Sequence, residues 1–203
     1  MSNTKEKITL IVFLKYPEPG KVKTRLAKDV GEEQAAEIYS KMATTILEQV
    51  TGSTGYGTII YYDPYEKLDE IKNWLRKYDL LYSAQSGKTL GNRITNAFRE
   101  VFDNGADKTV IIGSDCVDVD SDTIKEAISV LKYNDVVVGP AEDGGYYLLG
   151  LKKHRPEIFK DIDWSTERVL KQTIEKILEN NLSYRLLKTL KDLDNVNDLN
   201  GKN

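Results

Sequence analysis

The sequence predicts an α/β protein whose mainly parallel sheet is covered by helices on both faces. Two observations lead there. Apolar runs of strand length alternate with segments whose apolar residues recur at helical spacing, the βαβα alternation from which parallel sheets are built. The first run, Ile8–Leu14, is almost continuously apolar, as a strand buried on both faces must be. A chain of 203 residues fits one domain, expected here over 1–203.

The elements follow in order. Ile8–Leu14 is a strand, and the Pro/Gly-containing loop after it keeps helix from starting before Gly20. From Glu32 to Val50, Ala35, Ile38, Tyr39, Met42 and Ile46 fall on one helical stripe. Thr58–Tyr62 reads as a strand, Tyr65–Tyr78 as a helix and Leu80–Ala84 as a short strand. Thr89–Phe102 is a helix with Ile94, Ala97, Phe98 and Val101 on one face. Thr109–Ile112 is a strand ending at Gly113. A helix follows, with Ile124, Ala127, Ile128 and Leu131 in phase behind candidate caps Asp120 and Ser121. Asp135–Val138 and Tyr146–Leu151 are strands. A helix from about Thr166 to Asn180, capped by Ser165, turns Val169, Leu170, Ile174, Ile177 and Leu178 inward, and Tyr184–Leu187 is a late strand. No repeat or low-complexity linker interrupts the pattern.

Composition excludes several classes of function. With 29 basic against 32 acidic residues, no broad basic surface for nucleic acid is expected, and the twelve tyrosines are too dispersed for a base-stacking platform. No apolar run reaches the ~20 residues needed to span a bilayer. Cys116 is the only cysteine, so no internal disulfide forms, and the expected location is the cytoplasm. One histidine, His154, excludes a multi-histidine metal site and reads as a surface residue. Cys116 reads as a small buried side chain, since no histidine is near in sequence to activate it.

Open parallel sheets bind ligands beyond the carboxyl ends of their strands, so the loops there carry the chemistry. The first loop clusters Lys15, Lys21, Lys23 and Arg25 around Gly20. Gly20 would let the backbone approach an anion, and Lys23 and Arg25 could bind phosphate oxygens. The loop has neither the Gly-Lys-Ser/Thr ending of a Walker A segment nor a G-x-G-x-x-G. The simpler reading is a solvated basic turn. Asp115 directly follows the strand Thr109–Ile112, where an oxygen ligand would suit Mg²⁺ or Mn²⁺; the simpler reading is a turn residue or cap. Asp143, in Gly139-Pro140-Ala141-Glu142-Asp143-Gly144-Gly145, is a second candidate ligand or a general base. Gly144 and Gly145 would let the main chain pass close to a sugar or phosphate, and the simpler reading is an Asp-Gly hairpin. Trp164 marks a helix entry and could also wall a pocket. Together the loops suggest a cleft in which a divalent ion lets carboxylates and a diphosphate coexist.

On Phe13–Leu26 (FLKYPEPGKVKTRL), Gln85–Phe98 (QSGKTLGNRITNAF), Ile111–Val119 (IIGSDCVDV), Gly139–Leu151 (GPAEDGGYYLLGL) and Asp163–Leu170 (DWSTERVL), the chain resembles a prokaryotic family of GT-A-like proteins. Its members carry provisional glycosyltransferase labels, are associated with radical-SAM gene clusters and belong to the nucleotide-diphospho-sugar transferase superfamily. The resemblance implies a single GT-A, Rossmann-like domain. It implies that Lys23 and Arg25 face phosphates, that Asp115 holds Mg²⁺ or Mn²⁺ and that Asp143 lies near the reacting group. It also implies that Gln85, Gly87, Gly91 and Arg93 line the nucleotide pocket, although Arg93 read alone could be a surface helix residue. The ending from Asp192 to Leu199 looks like the closing segment of small nucleotidyltransferases, with Asp194 approaching the metal. One departure is Val117, where the family usually has proline; the carboxylate before it is kept.

The leading expectation is a metal-dependent glycosyltransferase that moves a sugar from a nucleotide-diphosphate sugar to a small-molecule acceptor. One alternative is a nucleotidyltransferase joining a nucleoside triphosphate to a phosphorylated small molecule with release of pyrophosphate. Another is a nucleotide-binding module without catalysis.

Overall fold

In the computed structural model, which describes residues 6–191, seven strands form one sheet in the order β3-β2-β1-β4-β6-β5-β7. They are β1 (Ile8–Lys15), β2 (Gly57–Asp63), β3 (Leu81–Ala84), β4 (Lys108–Ile112), β5 (Val136–Pro140), β6 (Tyr146–Leu151) and β7 (Tyr184–Leu186). Six run parallel. The exception, β6, pairs antiparallel with both β4 and β5. The helices are α1 (Thr24–Val30), α2 (Glu32–Val50), α3 (Leu68–Trp74), α4 (Leu90–Asp103), α5 (Ser121–Val130) and α6 (Val169–Glu179).

Alternation along β1 builds two cores. Leu10, Val12 and Leu14 face one side, where Ile46, Leu47 and Val50 of α2, Ile71 of α3, and Ile124 and Ala127 of α5 cover them. Ile11 faces the other side, against Ile94, Ala97, Phe98 and Val101 of α4 and Ile177 of α6. The fold class is as predicted: a mostly parallel sheet between two helical layers, with β4 and β5 buried throughout.

The helix expected over Tyr65–Tyr78 is shorter than its period suggests. A 3₁₀ turn at Tyr65–Lys67 precedes α3, and the chain leaves the helix at Leu75, whose side chain is buried all the same. The last helix starts at Val169 rather than Thr166. Ser165 is left-handed at φ 65°, and the Val169 N–H donates to the Thr166 carbonyl in a turn, so Ser165 is not the cap. Leu178 is exposed rather than inward, and Thr173 takes the buried position on α6. His154 is half-buried, and its Nε2 finds no hydrogen-bond partner among the described residues. Asp120 does cap α5, accepting the Thr123 N–H at 2.8 Å. Asp194 lies outside the described residues. No helix among those described is long and apolar enough to cross a membrane.

Candidate functional site

Strand order reverses at β1, which has β2 on one side and β4 on the other. Loops leaving the carboxyl ends of β1 and β4 must therefore diverge, and a crevice opens between them. A cleft of about 980 Å³ opens there.

Lys15, Lys23, Arg25, Gln85, Arg93, Asp115, Asp143 and Gly145 all line this cleft. The basic loop and both acidic loops thus meet at one mouth. Lys23 Nζ lies 2.8 Å from Asp115 Oδ1; the lysine side chain is only 5% exposed, against 49% for the aspartate. This pair spans the gap between the β1 and β4 loops. The Lys23 backbone is left-handed, φ 45°, at the residue that opens α1, and its carbonyl accepts the Ala27 N–H at 2.9 Å. A lysine held in that conformation is uncommon and is sustained by its surroundings.

Gly20, Gly87, Gly91 and Gly144 are not among the residues that line the cleft. Two of them shape the wall from behind. A Cβ on Gly91 would come within 2.6 Å of Trp164 Cε2, so this glycine seats the indole against α4. Gly144, at φ +86°, lets the β5–β6 hairpin press on the backbone of Glu167; a Cβ there would fall 2.7 Å from that residue's Cα. Asp143 does sit in the Asp-Gly hairpin that is its simpler reading, and it lines the cleft as well. Its Oδ1 accepts the Gly145 N–H at 2.8 Å, which fixes the carboxylate on the turn.

Gln85 and Arg93 join in one network. Gln85 Nε2 donates to the Tyr61 carbonyl at 2.9 Å. Arg93 pairs with Asp63 at 3.1 Å and donates from Nε to the Gly87 carbonyl at 3.2 Å. The network ties the ends of β2 and β3 to the start of α4, so Arg93 is no free surface side chain.

Tyr39 is a site residue that sequence reasoning placed only in the core stripe of α2. Its hydroxyl accepts the Lys15 N–H at 2.9 Å and shares a hydrogen bond of 2.8 Å with Ser114 Oγ. One buried phenol therefore joins the basic loop to the loop carrying Asp115. Burial, and next the Asp115 charge, push its ionisation above the usual tyrosine range, so it stays neutral. Nothing in a helical stripe separates such a tyrosine from an ordinary packed one. Trp164 does wall the pocket, edge-on to Tyr146 with ring centroids 6.5 Å apart.

Among the described residues no three His, Cys, Asp or Glu side chains gather as an ion cage. Two carboxylates that line the cleft, Asp115, which is paired with Lys23, and Asp143, are the candidates for an ion such as Mg²⁺, which one or two carboxylates hold together with substrate phosphate and water.

Residues 46–166 match a family described as "Uncharacterized protein conserved in bacteria (DUF2064)". No curated protein matches the chain. A crystal structure from Desulfovibrio desulfuricans G20, a nucleotide-diphospho-sugar transferase by provisional assignment, is 35% identical and covers 96% of this chain and 85% of its own, with a TM-score of 0.91. The 4-diphosphocytidyl-2C-methyl-D-erythritol synthase of Anaerococcus prevotii shares the fold at 11% identity, covering 97% of this chain and 96% of its own, TM-score 0.66. A cytidylyltransferase from Leptospira borgpetersenii does so at 12% identity, covering 96% and 84%, TM-score 0.58.

Proposed function

The chain belongs to the bacterial DUF2064 family, and from that premise we propose that it is a metal-dependent glycosyltransferase moving a sugar from a nucleotide-diphosphate sugar to a hydroxyl of a small acceptor. One observation carries the reading: Lys23, Arg25, Asp115 and Asp143 line a single cleft at the strand-order reversal of a nucleotide-diphospho-sugar transferase fold. The whole chain, 1–203, is read as one such domain, in the cytoplasm and of the kind associated with radical-SAM gene clusters.

In this reading the bond from the sugar's anomeric carbon to the diphosphate oxygen breaks, and its electron pair leaves with the nucleoside diphosphate. Lys23 and Arg25 stabilise that charge, Arg25 through directed donors and Lys23 as a point charge. Asp143 takes the proton of the attacking acceptor hydroxyl as the new carbon–oxygen bond forms, for a transfer that inverts configuration. Asp115 would hold Mg²⁺ or Mn²⁺, which would supply positive charge to the diphosphate oxygens; Asp143 is a second ligand only in the alternative where it is not the base. Lys15 and Gly145 border the same phosphates. Gln85 and Arg93 form the rigid base of the nucleotide side.

Nucleotidyl transfer is the second reading, favoured by the fold shared with the cytidylyltransferases. There the attack is on an α-phosphate and pyrophosphate leaves. The products decide between them. A panel of nucleotides and nucleotide sugars, with and without Mg²⁺ or Mn²⁺, is screened first for binding and then for turnover. Nucleoside diphosphate release supports glycosyl transfer; pyrophosphate release overturns it in favour of the second reading. In Asp115→Ala the metal should no longer strengthen nucleotide binding. A metal effect of wild-type size would remove Asp115 as a ligand.

A further inference from the structure

Lys23 and Asp115 hold each other across the cleft, and the two ligands of the transfer reading need them apart. The Lys23 ammonium lies 2.8 Å from Asp115 Oδ1. A carboxylate paired in this way is neutralised, and a second cation at the same oxygens is repelled by the first. The lysine has likewise given one of its three donors to the carboxylate, and its charge is matched before any phosphate arrives.

Both residues are fixed at their backbones, so the response is left to their side-chain ends. Lys23 opens α1, where its left-handed backbone (φ 45°) and the bond from the Ala27 N–H to its carbonyl hold the main chain. Asp115 follows Ser114, whose hydroxyl shares a hydrogen bond with Tyr39, and Tyr39 accepts the Lys15 N–H in turn. That bracket keeps the two loops at one separation. The lysine side chain is the inner, buried member of the pair, and the carboxylate is half exposed. A metal ion entering from solvent therefore meets a carboxylate with a cation already behind it.

The surroundings favour one order of binding. Six lysines and arginines line the cleft against three carboxylates. The field of that lining draws in an anion and turns away a bare cation. We propose that Lys23 is a coupling residue, which blocks Asp115 to metal until a diphosphate takes its ammonium, so that the diphosphate binds first and the metal after it. Lys23 changes partner from carboxylate to phosphate oxygen, and Asp115 is released in the same exchange. The proposal deepens the transfer reading and rests on it for the identity of the two ligands. Linkage makes the effect reciprocal: diphosphate tightens metal binding by the same factor as metal tightens diphosphate binding.

Each half of the exchange is measured on the full chain without the other ligand. Mn²⁺ alone is titrated, with free Mn²⁺ read by electron paramagnetic resonance. Inorganic pyrophosphate alone is titrated by calorimetry in EDTA. Lys23→Met keeps the stem and removes the charge. It should bind Mn²⁺ about tenfold tighter than wild type, while Lys21→Met, at an exposed lysine of the same loop, stays within about twofold. Asp115→Asn frees the ammonium. It should bind pyrophosphate about fivefold tighter, while Asp143→Asn, at a cleft carboxylate outside the pair, stays within about twofold. The half-exposed Asp115 tolerates this change, and Asp115→Asn carries the test alone if Lys23→Met does not fold.

Equal Mn²⁺ affinity in wild type and a folded Lys23→Met overturns the proposal. So does pyrophosphate affinity that is not raised in Asp115→Asn, or that is raised as much in Asp143→Asn. If a nucleotide sugar still binds with metal in those cases, the transfer reading stands. Both expected shifts in a chain that binds no nucleotide or nucleotide sugar support the exchange and overturn the transfer reading.

Discussion

Replacing Gly144 by alanine tests how closely the hairpin and the 164–167 turn are joined. The position has φ +86°, and an alanine held in that region costs about 1–3 kcal/mol in backbone strain. The new Cβ would also lie 2.7 Å from the Cα and carbonyl carbon of Glu167. Those are backbone atoms and cannot swing aside, so overpacking adds about 1–3 kcal/mol. The Leu170–Gly144 hydrogen bond stretches as the two segments part. A total of about 3 kcal/mol corresponds, in a domain of this size, to a melting temperature lower by about 6–12 °C. Gly52→Ala is the control: φ is +73°, yet nothing lies within 4 Å of the added carbon. It carries the backbone cost alone, about 1 kcal/mol or about 2–4 °C. Thermal melts followed by circular dichroism compare the two. If Gly144→Ala melts within about 2 °C of Gly52→Ala, the hairpin is not pinned against the turn.

Tyr39→Phe keeps the ring and removes the hydroxyl that bonds the Lys15 N–H and Ser114 Oγ, leaving a buried serine short of a partner; urea unfolding should show a loss of about 1–2 kcal/mol with an unchanged m-value. Asp143→Asn should cut turnover about 100-fold or more while nucleotide-sugar affinity stays within about twofold, and unchanged turnover would remove Asp143 as the base. Hydrogen bonds from the Ser183 hydroxyl and N–H, with the Lys152 charge, hold the Asp135 carboxyl down at about 2. Because the folded value is depressed, this carboxylate stabilises the fold fully above about pH 4, and the contribution, about 2 kcal/mol, is lost as pH falls through about 2. Melting curves from pH 7 to pH 2 should therefore converge at the acid end for wild type and Asp135→Asn, with the variant lower at neutral pH.

Much of this was legible without coordinates. The bounds of α2 and β6 coincide with those read from periodicity, and α4 and α5 show the inward residues their spacing requires. Misreadings gather where a local irregularity interrupts a good period. Leu178 extends the stripe of α6 on paper, but the helix rotates Thr173 inward instead. A turn closed by the Val169 N–H on the Thr166 carbonyl takes the place of the expected first helical residues and delays that helix by three residues.

The sequence by itself determined the alternation of elements, the two-sided burial of the central strands and the charge of each strand-end loop. These are local quantities: side-chain period and backbone preference are written in neighbouring residues. Only the tertiary structure decided that β6 runs backwards between β4 and β5, that Tyr39 ties the Lys15 loop to the Asp115 loop, and that Gly91 and Gly144 serve by seating Trp164 and Glu167. Each of these joins residues far apart in the chain. An apolar run looks the same in a hairpin as in a crossover, and a tyrosine in a buried stripe looks the same whether its hydroxyl is spent on packing or on holding a cleft together.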